Sequence, residues 1–167
     1  INILVGTIIA SFEAGAVSYL YYADRIYQIN LAIAGIAVGT VSLPALSKSL
    51  KIGKINQATS IQNKSIQLCF LFSLPACAGL ILASDQIVNA LFGYGSFANE
   101  DVVSTGLALK YFGFGVPAFA LIKILSNFFF ARDNTKTPFY LSLLSVILNI
   151  LISVTYFRDV GFVIIPI

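Results

Sequence analysis

From Ser65 to Ser84 the chain reads SIQLCFLFSLPACAGLILAS, 20 residues without a charged side chain. Wound as an α-helix, such a run is about 30 Å long, which is the thickness of a bilayer's hydrocarbon core. The rest of the chain is of the same kind: of 167 residues, 58% are hydrophobic and 10% charged, with a mean hydropathy of +0.91. Those values place it among all-α, polytopic membrane proteins rather than soluble domains.

Apolar patterning predicts about five membrane spans. Ile1 to about Phe12 is too short to cross alone and reads as the end of a helix begun upstream, followed by a turn at Glu13-Ala-Gly15. The second segment runs from about Val17 to Leu46; its small residues Ala34, Gly35, Gly39 and Ser42 would admit a close neighbour, and Pro44 is expected to kink or end it near the interface. Ser65–Ser84 is the third, with Pro75 tolerable if neighbours satisfy the freed carbonyl. About Ser104 to Phe130 is the fourth and Pro138 to about Phe157 the fifth, and the tail after Val160 opens a sixth. Between the third and fourth, LFGYGSF suits an interfacial hairpin or short helix. With no Met anywhere and apolar residues at both ends, the chain reads as an internal piece of a longer protein, one transmembrane region over residues 1–167.

Charge sets the orientation. Lys48, Lys51, Lys54 and Lys64 lie between the second and third segments without an acid, whereas Asp85, Glu100 and Asp101 lie between the third and fourth without a base. Arg132 and Lys136 flank Asp133 before the fifth. Because cytoplasmic loops collect Lys and Arg, residues 48–64 and 132–136 are placed in the cytoplasm and residues 85–103 outside. The same loops account for the clustered bases, so nucleic-acid binding gains no support. With no His, no Gly-rich phosphate loop and no paired carboxylates, neither an enzyme nor a metal or cofactor site is expected. Cys69 and Cys77, about 12 Å apart along a helix, are too distant for a disulfide and read as packing residues.

The stretch YYADRIYQ, Tyr21 to Gln28, sets Asp24 and Arg25 in the outer half of the second segment. An ionisable group inside a membrane helix is costly unless it meets water, a partner or an anion, which makes the pair a functional candidate. Arg suits a phosphate or pyrophosphate because its planar guanidinium offers two parallel donors at any pH; Asp24 would orient it or pair with a base elsewhere. A plainer reading has the two snorkel to water within an aromatic belt of Tyr19, Tyr21, Tyr22 and Tyr27. Lys110 and Lys123, about 20 Å apart on the fourth segment, cannot form one site; each either snorkels or lines a polar cavity. Asn149 and Ser153 share a face of the fifth segment, where interhelical hydrogen bonding is commoner than cation binding.

The run GAVSYLYYADRIYQINLAIAGIAVGTVSLPALSKS (Gly15 to Ser49) closely resembles the MurJ/MviN lipid II flippase family, with its tyrosine-rich ADR segment, small-residue stretch and LPALS ending before a basic loop. FFFARDNTKTP (Phe128 to Pro138) looks like that family's loop between its tenth and eleventh helices, and TIIASF (Thr7 to Phe12) like the end of its seventh. The resemblance implies about helices seven to eleven of a fourteen-helix protein of the multidrug/oligosaccharidyl-lipid/polysaccharide exporter superfamily. It further implies part of the C-terminal lobe of an inner-membrane flippase that carries lipid II, the undecaprenyl-pyrophosphate-linked disaccharide-pentapeptide, to the outer leaflet during peptidoglycan synthesis. Arg25 would then contact substrate from the central cavity, with Asp24 beside it. Two other readings stand beside this one: an exporter of another polyprenyl-linked glycan or drug, and a membrane scaffold for cell-wall synthesis proteins. The sodium site of some family members corresponds here to Gly6, Asn149 and Ser153, of which Asn149 alone keeps the family's residue type, so sodium coupling there is not supported.

Overall fold

The computed structural model describes Ser11 and residues 15–160, with the backbone alone for residue 150 and residues 152–160. Those residues are built from helices. Gly15, at φ 82, takes the left-handed conformation that a residue without Cβ adopts at little cost, and the first helix starts from it. This helix comprises α1 (Ala16–Leu31), a π-helical segment (Ala32–Ala37) and α2 (Val38–Lys51), and is continuous over 36 residues. After it come α3 (Ile55–Leu82), the short α4 (Ser84–Phe92), α5 (Asn99–Phe130) and α6 (Lys136–Val160). Among the described residues, Ala16–Lys51, Ile55–Leu82 and Asn99–Phe130 are long and apolar enough to cross a membrane. The first expected segment, apart from Ser11, and the tail after Val160 lie outside the described residues.

Three boundaries differ from those read in the sequence. The helix carrying Pro44 does not end there but continues to Lys51. Pro removes only its own N–H, which in a membrane helix leaves one carbonyl to be satisfied locally. The irregularity lies instead at Ala32–Ala37, where AIAGIA has no proline to mark it. The lysine-rich stretch 48–64 is mostly helical, because the α2–α3 connection is only Ile52–Lys54. There Gly53, at φ 74, lets its own N–H reach the Leu50 carbonyl and the Lys54 N–H reach Ser49, the Schellman closure of a helix end. Polar INQATSIQNK then forms the first turns of α3; hydropathy placed the span at its first apolar residue, but helix formation needs only the absence of breakers. Helix α5 likewise begins at Asn99, where the Asp101 carboxylate accepts the Ala98 N–H at 2.8 Å.

Packing stacks three apolar layers along the bundle. Ala23, Ile26, Tyr27, Leu80, Val88, Leu109 and Val116 form the layer nearest the acidic residues. Ala34, Cys69, Ala120 and Ile124 form the middle, and Leu46, Ala58 and Ala131 the layer at the lysine-rich end. The partners show that α3 runs antiparallel to both α1–α2 and α5, while the last two run parallel. The lysines of residues 48–64 and the acids Asp85, Glu100 and Asp101 therefore lie toward opposite ends, as the orientation inferred from charge requires. The expected small-residue contact is made with α5, where a Cβ on Gly35 would lie 3.1 Å from the Ala120 Cα; a separate close contact joins α5 to α3, where a Cβ on Gly113 would lie 2.9 Å from the Leu80 Cβ. Such spacing lets helix backbones approach closely where lipid supplies no hydrophobic drive. Cys69 is fully buried in the middle layer and Cys77 half-buried, and neither is in a disulfide.

Candidate substrate-binding site

One face of α1 is fixed by burial. Ala23, Ile26 and Tyr27 turn inward, and the Tyr27 ring stacks on Phe112 of α5 at 5.2 Å between centroids. Tyr22 packs on Phe92 and Phe97 at 4.9 and 5.5 Å, and the Tyr19 hydroxyl donates to Asp101 at 3.0 Å. Of the four tyrosines read as an aromatic belt, only Tyr21 is exposed; the others hold α1 against α4 and α5.

The opposite face carries Tyr21, Arg25, Ile29, Ile33 and Ile36, all exposed. Arg25 lies 23 residues before Lys48, about 35 Å of helix, so roughly the thickness of a hydrocarbon core separates it from the lysine-rich end. Its Nη2 donates to the Tyr21 hydroxyl at 2.8 Å, and its guanidinium carbon stands 4.6 Å from that ring's centroid. Asp24, half-buried, accepts a hydrogen bond from the Gln28 amide. The neighbouring charges are thus engaged in opposite directions along the helix, Arg25 four residues back and Asp24 four residues on. The guanidinium is thus hydrogen-bonded to Tyr21 and not to Asp24. The i–4 and i+4 spacings are visible in YYADRIYQ, but the tyrosine's partner was hidden by its membership in an aromatic run.

Lys110 and Lys123 are both exposed and are not brought together. Lys110 follows the outward stripe of Val103, Leu107 and Phe114. It lies two residues, about 200° of helix, from Phe112, so it points away from α1 although it is level with Arg25. Lys123 sits between exposed Ile122 and buried Ile124, near the lysine-rich end. Asn149 is half-buried on α6, while Gly6 and the Ser153 side chain lie outside the described residues.

Among the described residues, no carboxylate meets the Arg25 guanidinium, which stands on an open helix face of a close-packed helical scaffold. The family model described as lipid II flippase MurJ matches residues 1–167. The chain belongs to the MurJ lipid II flippase family. A probable lipid II flippase MurJ of Rhizobium meliloti (strain 1021) is 46% identical over 161 residues, 96% of this chain and 30% of the relative. A probable lipid II flippase MurJ of Rickettsia prowazekii (strain Madrid E) is 43% identical over 149 residues, 89% of this chain and 29% of the relative. A solved structure of lipid II flippase MurJ in an inward closed conformation superposes with a TM-score of 0.90 at 27% identity, covering 99% of this chain and 35% of that one. The chain therefore spans about a third of the length of the MurJ proteins it matches, and it is part of a multi-pass membrane protein.

Proposed function

We propose that this chain is part of the C-terminal lobe of an alternating-access flippase that moves lipid II from the cytoplasmic to the outer leaflet of the bacterial inner membrane, a transporter rather than an enzyme. Lipid II joins a polyprenyl tail to a sugar-peptide head through a pyrophosphate, and that head cannot enter hydrocarbon without a loss of many kcal/mol of solvation. The protein's task is to supply a hydrated, cationic passage while the tail stays in lipid. The observation that carries the reading is Arg25: a permanently charged guanidinium on the uncovered face of α1, with no carboxylate from its own neighbour on it. In the complete protein this face lines the cavity between two lobes, which rock about the site as in other two-bundle transporters. Membership in the MurJ family supports the substrate class.

The test uses the full-length protein in a strain that depends on it. Arg25→Ala is expected to abolish growth while the protein is still inserted, and proteoliposomes carrying it should fail to move lipid II. Normal growth with Arg25→Ala would favour a scaffold for cell-wall synthesis proteins. Faster movement of another lipid-linked sugar than of lipid II by the unaltered protein would assign it to export of a different glycan.

A further inference from the structure

Placing Arg and Asp side by side poses a problem for anion binding, because a guanidinium neutralised by the adjacent carboxylate has little left to offer a diphosphate. The structure resolves it with two residues that the substrate-binding reading did not assign. Tyr21, one turn toward the outer end, accepts from Arg25 Nη2 at 2.8 Å and lies under the guanidinium, whose carbon is 4.6 Å from the ring centroid. Both contacts fix the direction of a long side chain that would otherwise sample many rotamers. Gln28, one turn toward the cytoplasmic end, donates its amide to Asp24 Oδ2. Of the five N–H donors of a guanidinium, Tyr21 takes one and Asp24 none, so among the described residues a bidentate edge stays free.

We propose that Tyr21 and Gln28 are positioning residues that hold the Arg25 guanidinium away from the Asp24 carboxylate and present its free edge to the diphosphate of the lipid substrate. This rests on the reading of Arg25 as a substrate contact. Tyr21 acts on the arginine directly. Gln28 acts through Asp24, by keeping that carboxylate engaged along its own side of the helix.

The experiment measures equilibrium binding of a polyprenyl diphosphate to the full-length protein in nanodiscs, with Tyr21→Phe, Gln28→Leu, Asp24→Asn, the double variant Gln28→Leu/Asp24→Asn, and Arg25→Ala. Tyr21→Phe keeps the ring and removes the acceptor, and is expected to weaken binding about fivefold. Gln28→Leu frees the carboxylate and is expected to weaken it about as much, whereas adding Asp24→Asn in that background restores binding to within about twofold of the parent. Asp24→Asn is expected to raise binding more in the Gln28→Leu background than in the parent, because Gln28 already occupies the carboxylate. Restoration distinguishes a positioning role from a structural one, since a misfolded Gln28→Leu protein would not be repaired by a second substitution.

The proposal is overturned if the double variant binds no better than Gln28→Leu, or if Asp24→Asn improves binding equally with and without Gln28. A null result at either Tyr21 or Gln28 removes that residue from it. Arg25→Ala separates the premise: parent-like binding by that variant would sink the substrate contact itself, while loss of binding there alongside unaffected Tyr21→Phe and Gln28→Leu would sink only the positioning roles.

Discussion

At the scale of single residues, the chain spends its few charges sparingly inside the membrane, and the account turns on what Arg25 can do that another cation cannot. A lysine keeps the charge but loses the planar pair of donors and the stacking on Tyr21. Arg25→Lys is therefore expected to lower the rate of lipid II movement in proteoliposomes by about tenfold or more, with expression unchanged. Parent-like rates would reduce Arg25 to a point charge. The pair Asp24-Arg25 was legible in the sequence because two ionisable residues in so apolar a chain stand out. What was not legible was their separation. Adjacent positions diverge by about 100° on a helix, which leaves several partners open, and only the structure selects Tyr21 and Gln28 from among them.

Elements follow from two kinds of signal, and only one is written plainly in the sequence. Apolar runs located the three spanning helices, and small residues located the contact of the first with α5. Their ends were displaced because a polar but breaker-free stretch such as INQATSIQNK extends α3 beyond its apolar part. The π-helical segment at Ala32–Ala37 left no mark, since AIAGIA is compatible with an ordinary helix. Two substitutions test the packing. Gly35→Val introduces a branched side chain where a Cβ would already lie 3.1 Å from the Ala120 Cα, and is expected to destabilise the full-length protein by about 1–3 kcal/mol, read as a lower melting temperature in detergent. Gly53→Ala meets no atom within 4 Å but sits at φ 74, so it is expected to cost about 1 kcal/mol from backbone strain alone. An unchanged melting temperature for Gly35→Val would mean that the π-helical segment and α5 are not held together at that point.

For the whole molecule, close-packed helices hold Lys48, Lys51, Lys54 and Lys64 toward one end and Asp85, Glu100 and Asp101 at the other, and turn one face of α1 away from the described bundle. That polarity predicts topology: in the full-length protein, an alkaline phosphatase fusion at Gly53 should be inactive and one at Gly95 active, and the reverse pattern would invert the assigned orientation. The fold was legible because a bilayer admits few solutions to a chain this apolar. The role of the open face was not, since it depends on helices beyond this third of the protein. The direct measurement is labelling of Ile29→Cys, one turn from Arg25 on the same exposed face, in a full-length protein whose Cys69 and Cys77 are replaced by alanine. If that face lines a hydrated passage for a diphosphate lipid, a charged, membrane-impermeant thiol reagent will modify Ile29→Cys, lipid II will slow the reaction, and Arg25→Ala will remove that protection. Modification only by an apolar reagent, or a rate indifferent to lipid II, would place the face against acyl chains and contradict the account.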